Sequence, residues 1–414
     1  MKVKLIRTFA AGLVTLFSQT LSAEQIDCGV EAGNVSILSN DFPALHAVAA
    51  MAERCATDKV VVTKNQSKDH RDIQSAALKA KPSKYSTAIV STSSIVPLLN
   101  EGLIQPLDDL VAKYGQSLQP TQLIKIDGSV MAVAFMANAQ HLFYRKDILE
   151  KVGAQPPKTY DELIATAKKI QKEGLMKYPI ALNTKTGWNL GEEFINVFSA
   201  TGAGFFKPGS AIPNVNNAEG IKALNTLKAL TALSNPDFLT FDSNSTQALW
   251  EDGKVAFALM WGSRGTAILD NEGSTPEVVG STVLTNSPAF NVDGTPGATL
   301  WWDGWTIASN LSDQDAEATF KVMVQAISPE MMKGNSEKAV WLIEGYQPDA
   351  SAMGVIHTVQ QQANPYPMLP YMGLLHSALG AELPDFLLGN ESAEQALKDI
   401  EAAYMTSARE QGFL

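Results

Sequence analysis

The stretch from Asp127 to Ile170, DGSVMAVAFMANAQHLFYRKDILEKVGAQPPKTYDELIATAKKI, constrains the chain more than any other. Asp127-Gly128 is a turn signal, and the apolar run Val130 to Phe135 has the length and the β-branched and aromatic content of a strand. A polar interval holding Asn138 and Gln140 precedes a second apolar burst, Leu142 to Tyr144, which ends in the charged turn Arg145-Lys146-Asp147. Pro156-Pro157 then stops the chain. Thr159 is placed to cap a helix and Glu162, three residues on, to close a capping box. Leu163, Ala167 and Ile170 give that helix one apolar face.

Upstream the pattern alternates. Val35 to Leu38, Val60 to Thr63 and Thr87 to Val90 read as strands, and Ala44 to Arg54, Ile73 to Leu78 and the segment ending at Asn100 read as helices. Such alternation predicts a parallel α/β sheet with its ligand site at the carboxyl ends of the strands. The loops Ser39 to Phe42 and Ser91 to Ser94 then face a cleft, which makes Asn40, Asp41 and Ser93 candidate ligand contacts. Residues of these types also cap helices, and both readings fit one loop.

At 414 residues, with 45% hydrophobic and 18% charged content, the chain is long for one domain, and two are expected. Met1 to Ala23 places Lys2, Lys4 and Arg7 before an apolar run and ends in small residues, the pattern of a cleaved secretory signal too short to span a membrane. Leu21-Ser22-Ala23 is followed by Glu24 and not by Cys, so a lipid anchor is not expected. Loss of three basic residues takes the formal charge from −11 to −14, a poor balance for nucleic acid or anionic membranes. Export to an oxidising compartment predicts one disulfide between the only cysteines, Cys28 and Cys55, tying the first mature residues to the end of the first helix; two free thiols are the alternative. The five histidines are scattered, so neither a metal site nor a cofactor is expected.

The order of motifs in Asp127–Ile170 resembles the family 1 extracellular solute-binding proteins of ABC importers, the group that includes maltose-binding proteins. Ala248 to Arg264 (ALWEDGKVAFALMWGSR) is similar to the family's helix, G-K-V-A, strand, G-x-W segment, and Asn390 to Tyr404 to its C-terminal helix. The resemblance implies an α/β, two-lobed periplasmic binding protein fold (type II, Venus-flytrap) with three interlobe crossings. After a signal peptide over 1–23, lobe 1 would comprise 24–136 plus 286–340, and lobe 2 would comprise 137–285 plus 341–414. The first crossing would fall near Phe135 to Gln140 and put Asn138 and Gln140 at the bottom of the cleft. Val278 to Leu284 would return the chain, and a third crossing would lie near Val340 to Glu344.

Several further residues stand out. Trp188 follows a glycine in a polar loop, and Glu192-Glu193 reads as the charged start of the next helix. Asn216 and Glu219 are in capping-box register before another helix. Where the resembled family has Gly-x-Trp, this chain has Gly262-Ser263-Arg264, with its tryptophan displaced to Trp261. Arg264 would offer a guanidinium face to a sugar ring or two donors to a carboxylate, or else pair with a neighbouring acid. Trp301-Trp302-Asp303-Gly304-Trp305 is the densest aromatic cluster. Alternation puts Trp301 and Trp305 on one face, as packing, and leaves Trp302 and Asp303 for ligand. His376 falls near an aromatic position of maltose-binding proteins, with a hydrogen-bonded structural histidine as the alternative.

No phosphate loop, H-E-x-x-H or G-x-S-x-G elbow is present, and the adjacent carboxylates Asp108-Asp109 and Glu192-Glu193 give no general acid/base geometry. Together with the signal segment, the resemblance implies a periplasmic, monomeric, non-enzymatic protein. It would capture a sugar or sugar derivative in an interlobe cleft and deliver it to ABC importer membrane subunits, with Arg264 favouring an acidic derivative. A secreted carbohydrate-active enzyme, or a binder of a non-carbohydrate solute in the same fold, are the rival readings.

Overall fold

The computed structural model describes residues 25–414, so the expected signal segment lies outside it. Among the described residues twelve strands form two sheets: β1 (Gly33–Ser39), β2 (Val60–Gln66), β3 (Thr87–Ser91), β4 (Leu123–Ile126), β5 (Ser129–Asn138), β6 (Gln140–Arg145), β7 (Ile180–Leu182), β8 (Phe257–Trp261), β9 (Thr282–Thr285), β10 (Thr299–Trp305), β11 (Val340–Trp341) and β12 (Asn364–Pro365). The first sheet runs β11-β5-β10-β3-β1-β2, with β4 beside β5 and β12 beside β10. The second runs β7-β8-β6-β9. Among the described strands, β1 pairs in parallel with β2 and β3, β7 with β8, and β10 with β12. Both sheets are thus mixed, because β10 enters antiparallel to β3 and β5, and β6 antiparallel to β8 and β9.

The chain passes between the two bodies three times. Asn138 ends β5 in the first sheet and Gln140 begins β6 in the second, so Ala139 alone joins them. The return comes later than the sequence suggests. Val278 lies in the helix Pro276–Ser281 and Thr282–Thr285 pairs with β6, so the chain leaves the second sheet only after Thr285. Likewise Val340–Trp341 pairs with β5, and Ile343 and Tyr346 pack into the first core. The third passage follows Tyr346 and leads to the helix Met353–Gln360, which lies on β6 and β9.

Each lobe has its own core. Phe194, Phe198, Leu224, Leu379 and Leu397 are fully buried in the second, and Ile37, Val48, Phe135, Trp305 and Phe320 in the first. Trp301 and Trp305 share a face of β10 by alternation but belong to different cores, because the start of β10 lies under second-lobe elements and its end under the helix Asp313–Ala326. The capping box at Thr159 forms as expected: the Glu162 N–H donates to Thr159 Oγ1 (3.2 Å) and the Thr159 N–H to Glu162 Oε2 (3.1 Å). The helix Ala218–Thr231 is capped by Asn217, whose Oδ1 accepts from the Gly220 N–H. Asn216, the expected cap, donates instead to Glu401. Cys28 and Cys55 form a disulfide with Cα atoms 5.6 Å apart, fastening the N-terminal segment just beyond the helix Pro43–Glu53.

Candidate functional site

Trp188 is placed by the turn that leaves β7. Gly187 takes φ +97°, a conformation a side chain disfavours, and Trp188 opens the helix Trp188–Ser199. Its indole therefore lies at a helix start and not within a loop. Trp261 arrives at the carboxyl end of β8, Trp301 near the start of β10, Tyr366 just after β12, and His376 from the helix Met372–Leu388. Five rings converge. Trp188 is stacked on His376 at 4.8 Å and on Trp261 at 6.3 Å, and meets Trp301 edge-on at 5.6 Å. Trp301 in turn meets Trp261 edge-on at 5.7 Å and lies 4.3 Å from Tyr366. Trp188 and Trp261 are half-buried while Trp301, Tyr366 and His376 are buried, so the cluster has a packed base and two accessible indoles.

His376 belongs to the base. One ring nitrogen, Nε2, lies 2.7 Å from the Trp188 carbonyl, an oxygen that only accepts, so Nε2 carries the proton. Nδ1 is left to accept from the Tyr366 hydroxyl at 2.9 Å. Burial, with the nearby Arg71 charge adding to it, pushes the imidazole down to about 4, and the neutral tautomer follows.

Beneath the rings lie Glu192 and Glu193, and here the sequence reading is overturned. The helix begins one turn earlier, and every residue from Leu190 to Ser199 is buried between neighbouring helices and β10, so no solvent-facing start remains for the two acids. Glu192 Oε1 accepts from Thr299 Oγ1 (2.8 Å) and Trp301 Nε1 (3.1 Å), while its Oε2 is buried without a partner. Glu193 Oε1 accepts from the Asn183 N–H at 3.1 Å. Burial pushes both carboxyls up to about 8, against the hydrogen bonds that favour their charge. The side-chain amide of Asn183 is also buried and unpartnered.

From the first lobe comes a residue that the sequence reading missed. Arg71, second in the helix His70–Lys79, holds its Cζ 4.9 Å from the Trp188 ring centroid and donates from Nη2 to Ser91 Oγ at 3.3 Å. Ser91 faces Asp303 across the β3–β10 pair. Burial pushes the Asp303 carboxyl up to about 7 although the Arg71 charge works to lower it. The only sequence signal for Arg71 was a lone cation beginning a helix after a strand, which by itself is a common surface feature.

The other candidates fall into three sets. Asp303 and half-buried Trp302 lie on the first-lobe side; the Trp302 N–H donates to Thr92 Oγ1 and its carbonyl accepts from the Thr92 N–H, and the hydroxyl of Ser93, next to Thr92, is buried without a partner. Asn40 and Asp41 stand at the end of β1, where Asp41 pairs with His46 at 2.6 Å and the Asp41 N–H donates to Asn40 Oδ1. Asn138 and Gln140 flank the first passage. The Asn138 amide is engaged by Ser263, donating to its hydroxyl (3.3 Å) and accepting from its N–H (3.3 Å), and Gln140 is buried opposite Trp261. Arg264 turns away from the rings and donates to Gln247 Oε1 at 3.0 Å, in the field of Asp242 and Glu251. Among the described residues no group of three or more His, Cys, Asp or Glu side chains is placed to hold a metal ion, and no helix is long and apolar enough to cross a membrane.

The sequence profile described as "Bacterial extracellular solute-binding protein" matches residues 58–333. The chain belongs to that family. A probable ABC transporter-binding protein of Deinococcus radiodurans is 29% identical over 191 residues, covering 45% of this chain and 44% of the relative. The mannitol-binding protein of Pseudomonas aeruginosa is 26% identical over 225 residues, covering 53% and 50%. The chain thus spans about half the length of the curated relatives it matches. Among solved structures, maltose-bound MalE3 of T. maritima superposes with a TM-score of 0.78 at 18% identity, covering 91% of this chain and 100% of that one. A solute-binding protein of Agrobacterium radiobacter K84 in complex with ribitol gives 0.78 at 20% identity, covering 92% and 98%. These likenesses carry the two-lobed, type II arrangement.

This member of the extracellular solute-binding family has two different walls where its lobes meet. The second lobe supplies stacked indoles backed by neutral, hydrogen-bonded polar groups, and the first supplies a guanidinium, a carboxyl and hydroxyls. Indole faces suit the C–H surface of a sugar or sugar alcohol, and the opposite wall suits its hydroxyls.

Proposed function

We propose that this is an exported, periplasmic solute-binding protein, not an enzyme and not lipid-anchored, that closes over a sugar or sugar alcohol as a monomer and presents it to the membrane subunits of an ABC importer. In this reading 25–138 and 286–346 act as one jaw, and 139–285 and 347–414 as the other, about the three passages. The observation that carries it is the meeting of Arg71 from the first lobe with Trp188 from the second, which brings the polar wall onto the aromatic one. A ligand touching both walls favours the closed form by its differential affinity for the two states. The relatives named for mannitol and lactose binding and the ribitol- and maltose-bound structures support this ligand class. Affinity in the micromolar range, about −8 kcal/mol, suffices for capture.

Calorimetric titration with a panel of pentitols, hexitols, monosaccharides, disaccharides, uronates and sn-glycerol 3-phosphate tests the reading. One-to-one saturable binding of a panel member without product supports it. Release of a product, or no binding across the panel, refutes it.

A further inference from the structure

We propose that Arg71 and Asp303 form the specificity-determining pair of the cleft: Arg71 supplies donors to ligand hydroxyls, and Asp303, which answers its charge, turns an acidic ligand away, so that an uncharged polyhydroxylated ligand is selected. This rests on the capture reading above and goes beyond it in naming which solutes are refused.

Three elements of the first lobe bring the groups together. The helix His70–Lys79 supplies Arg71, the end of β3 supplies Ser91, and β10 supplies Asp303 in register with Ser91. The guanidinium hydrogen-bonds Ser91 at 3.3 Å and lies over the Trp188 ring at 4.9 Å, so it faces the accessible indole and not bulk solvent. Asp303 is the charge that most supports the cation, followed by Tyr366 and Glu192. Among the described residues Ser91 is the one side chain that accepts a hydrogen bond from Arg71, which leaves N–H donors of its five for ligand hydroxyls. A cation whose field is cancelled by a neighbouring carboxylate gives hydroxyls directional donors but offers an anion no net attraction. A ligand carboxylate or phosphate placed there would also face Asp303, a like charge in a partly desolvated site. Arg264, the other arginine considered for anion binding, is turned toward Gln247.

The test compares neutral and acidic members of the same panel by calorimetry at pH 8, above the value of about 7 to which burial raises Asp303, on the wild-type protein and on Asp303→Asn, Arg71→Met and Arg71→Lys. The wild type should bind its best neutral ligand at least tenfold more tightly than any acidic one. Asp303→Asn, which unmasks the cation, should narrow that ratio tenfold or more in favour of D-glucuronate or sn-glycerol 3-phosphate. Arg71→Met should weaken the neutral ligand about tenfold and widen the ratio, and Arg71→Lys should restore the ratio but not all the affinity, since an ammonium lacks the planar face. An acidic ligand bound as tightly as the best neutral one by the wild type overturns the proposal and leaves capture standing. So does a ratio that Asp303→Asn moves by less than twofold. Should Asp303→Asn not fold, Arg71→Met decides, and an unchanged or narrowed ratio there overturns the proposal. No binding across the whole panel removes the capture reading and this one together.

Discussion

His376 both stacks on the Trp188 indole, at 4.8 Å between ring centroids, and donates from Nε2 to the backbone carbonyl of the same residue at 2.7 Å. One side chain therefore fixes the plane of the ring and the position of the helix start that carries it. Because Tyr366 holds the other nitrogen, the imidazole has a single orientation and a single tautomer. His376 itself is buried, so in the proposed capture its effect on a ligand would pass through Trp188.

Replacing His376 by Ala should lower affinity for the panel's best sugar or polyol about tenfold, near 1.4 kcal/mol, and broaden the tryptophan emission as Trp188 loses its backing. His376→Phe keeps a ring but leaves the Tyr366 hydroxyl and the Trp188 carbonyl unpaired, so it should recover only part of the loss. Calorimetry on the two variants checks this. Full affinity in His376→Ala would show that Trp188 is held by other means.

Gly191 makes that arrangement sterically possible. A Cβ at position 191 would sit 2.6 Å from His376 Cδ2 and 2.7 Å from the His376 carbonyl oxygen, one of them backbone that cannot swing aside. Gly191→Ala gains helix propensity, about 1 kcal/mol, but the overlap costs about 1–3 kcal/mol. The expected outcome is a lower urea midpoint together with weaker ligand binding. A variant more stable than the parent would mean the helices separate without consequence.

The buried acids make stability depend on pH with a definite sign. Burial raises Glu193 to about 8 from an ordinary value near 4.5, so the folded protein retains a proton that the unfolded chain has released. Stability from this group is complete below the ordinary carboxylate range and is lost progressively as pH rises to about 8. Glu193→Gln keeps an oxygen to accept from the Asn183 N–H and cannot ionise. Denaturant unfolding from pH 5 to 9 should show the parent losing on the order of 3 kcal/mol more than the variant. Parallel curves would place the proton elsewhere.

What was legible in the sequence was local or strictly ordered. The Thr159–Glu162 capping box, the strand pair broken at Ala139 and the two-cysteine bridge each depend on neighbours in the chain or on a forced pairing. The family pattern then supplied the two-lobed architecture. What was missed depends on packing between distant segments. Glu192 and Glu193 read as a solvated helix start because nothing in their spacing reveals that helices bury every side of the segment. Trp301 and Trp305 alternate correctly, yet a single strand serves two cores, so sharing a face did not mean sharing an environment. Arg71 gained its meaning only when folding set it over Trp188, on the other lobe.

Arg264 separates the chain-local reading from the spatial one. Its place after β8 suggested a ligand contact, but its guanidinium is 3.0 Å from Gln247 Oε1 on the helix Ser243–Glu251, and Asp242 and Glu251 support its charge. Gln247 itself donates to Glu251 at 2.6 Å, so the arginine completes a polar chain along that helix. Arg264→Ala should therefore leave ligand affinity within twofold of the parent while lowering stability by about 1 kcal/mol, the usual worth of one such hydrogen bond. Arg71→Ala, measured beside it, should weaken the ligand about tenfold and also lower stability by about 1 kcal/mol, since its hydrogen bond to Ser91 is lost as well. Calorimetry and urea unfolding on both variants decide between the two arginines, and a tenfold loss of ligand in Arg264→Ala would return that side chain to the cleft.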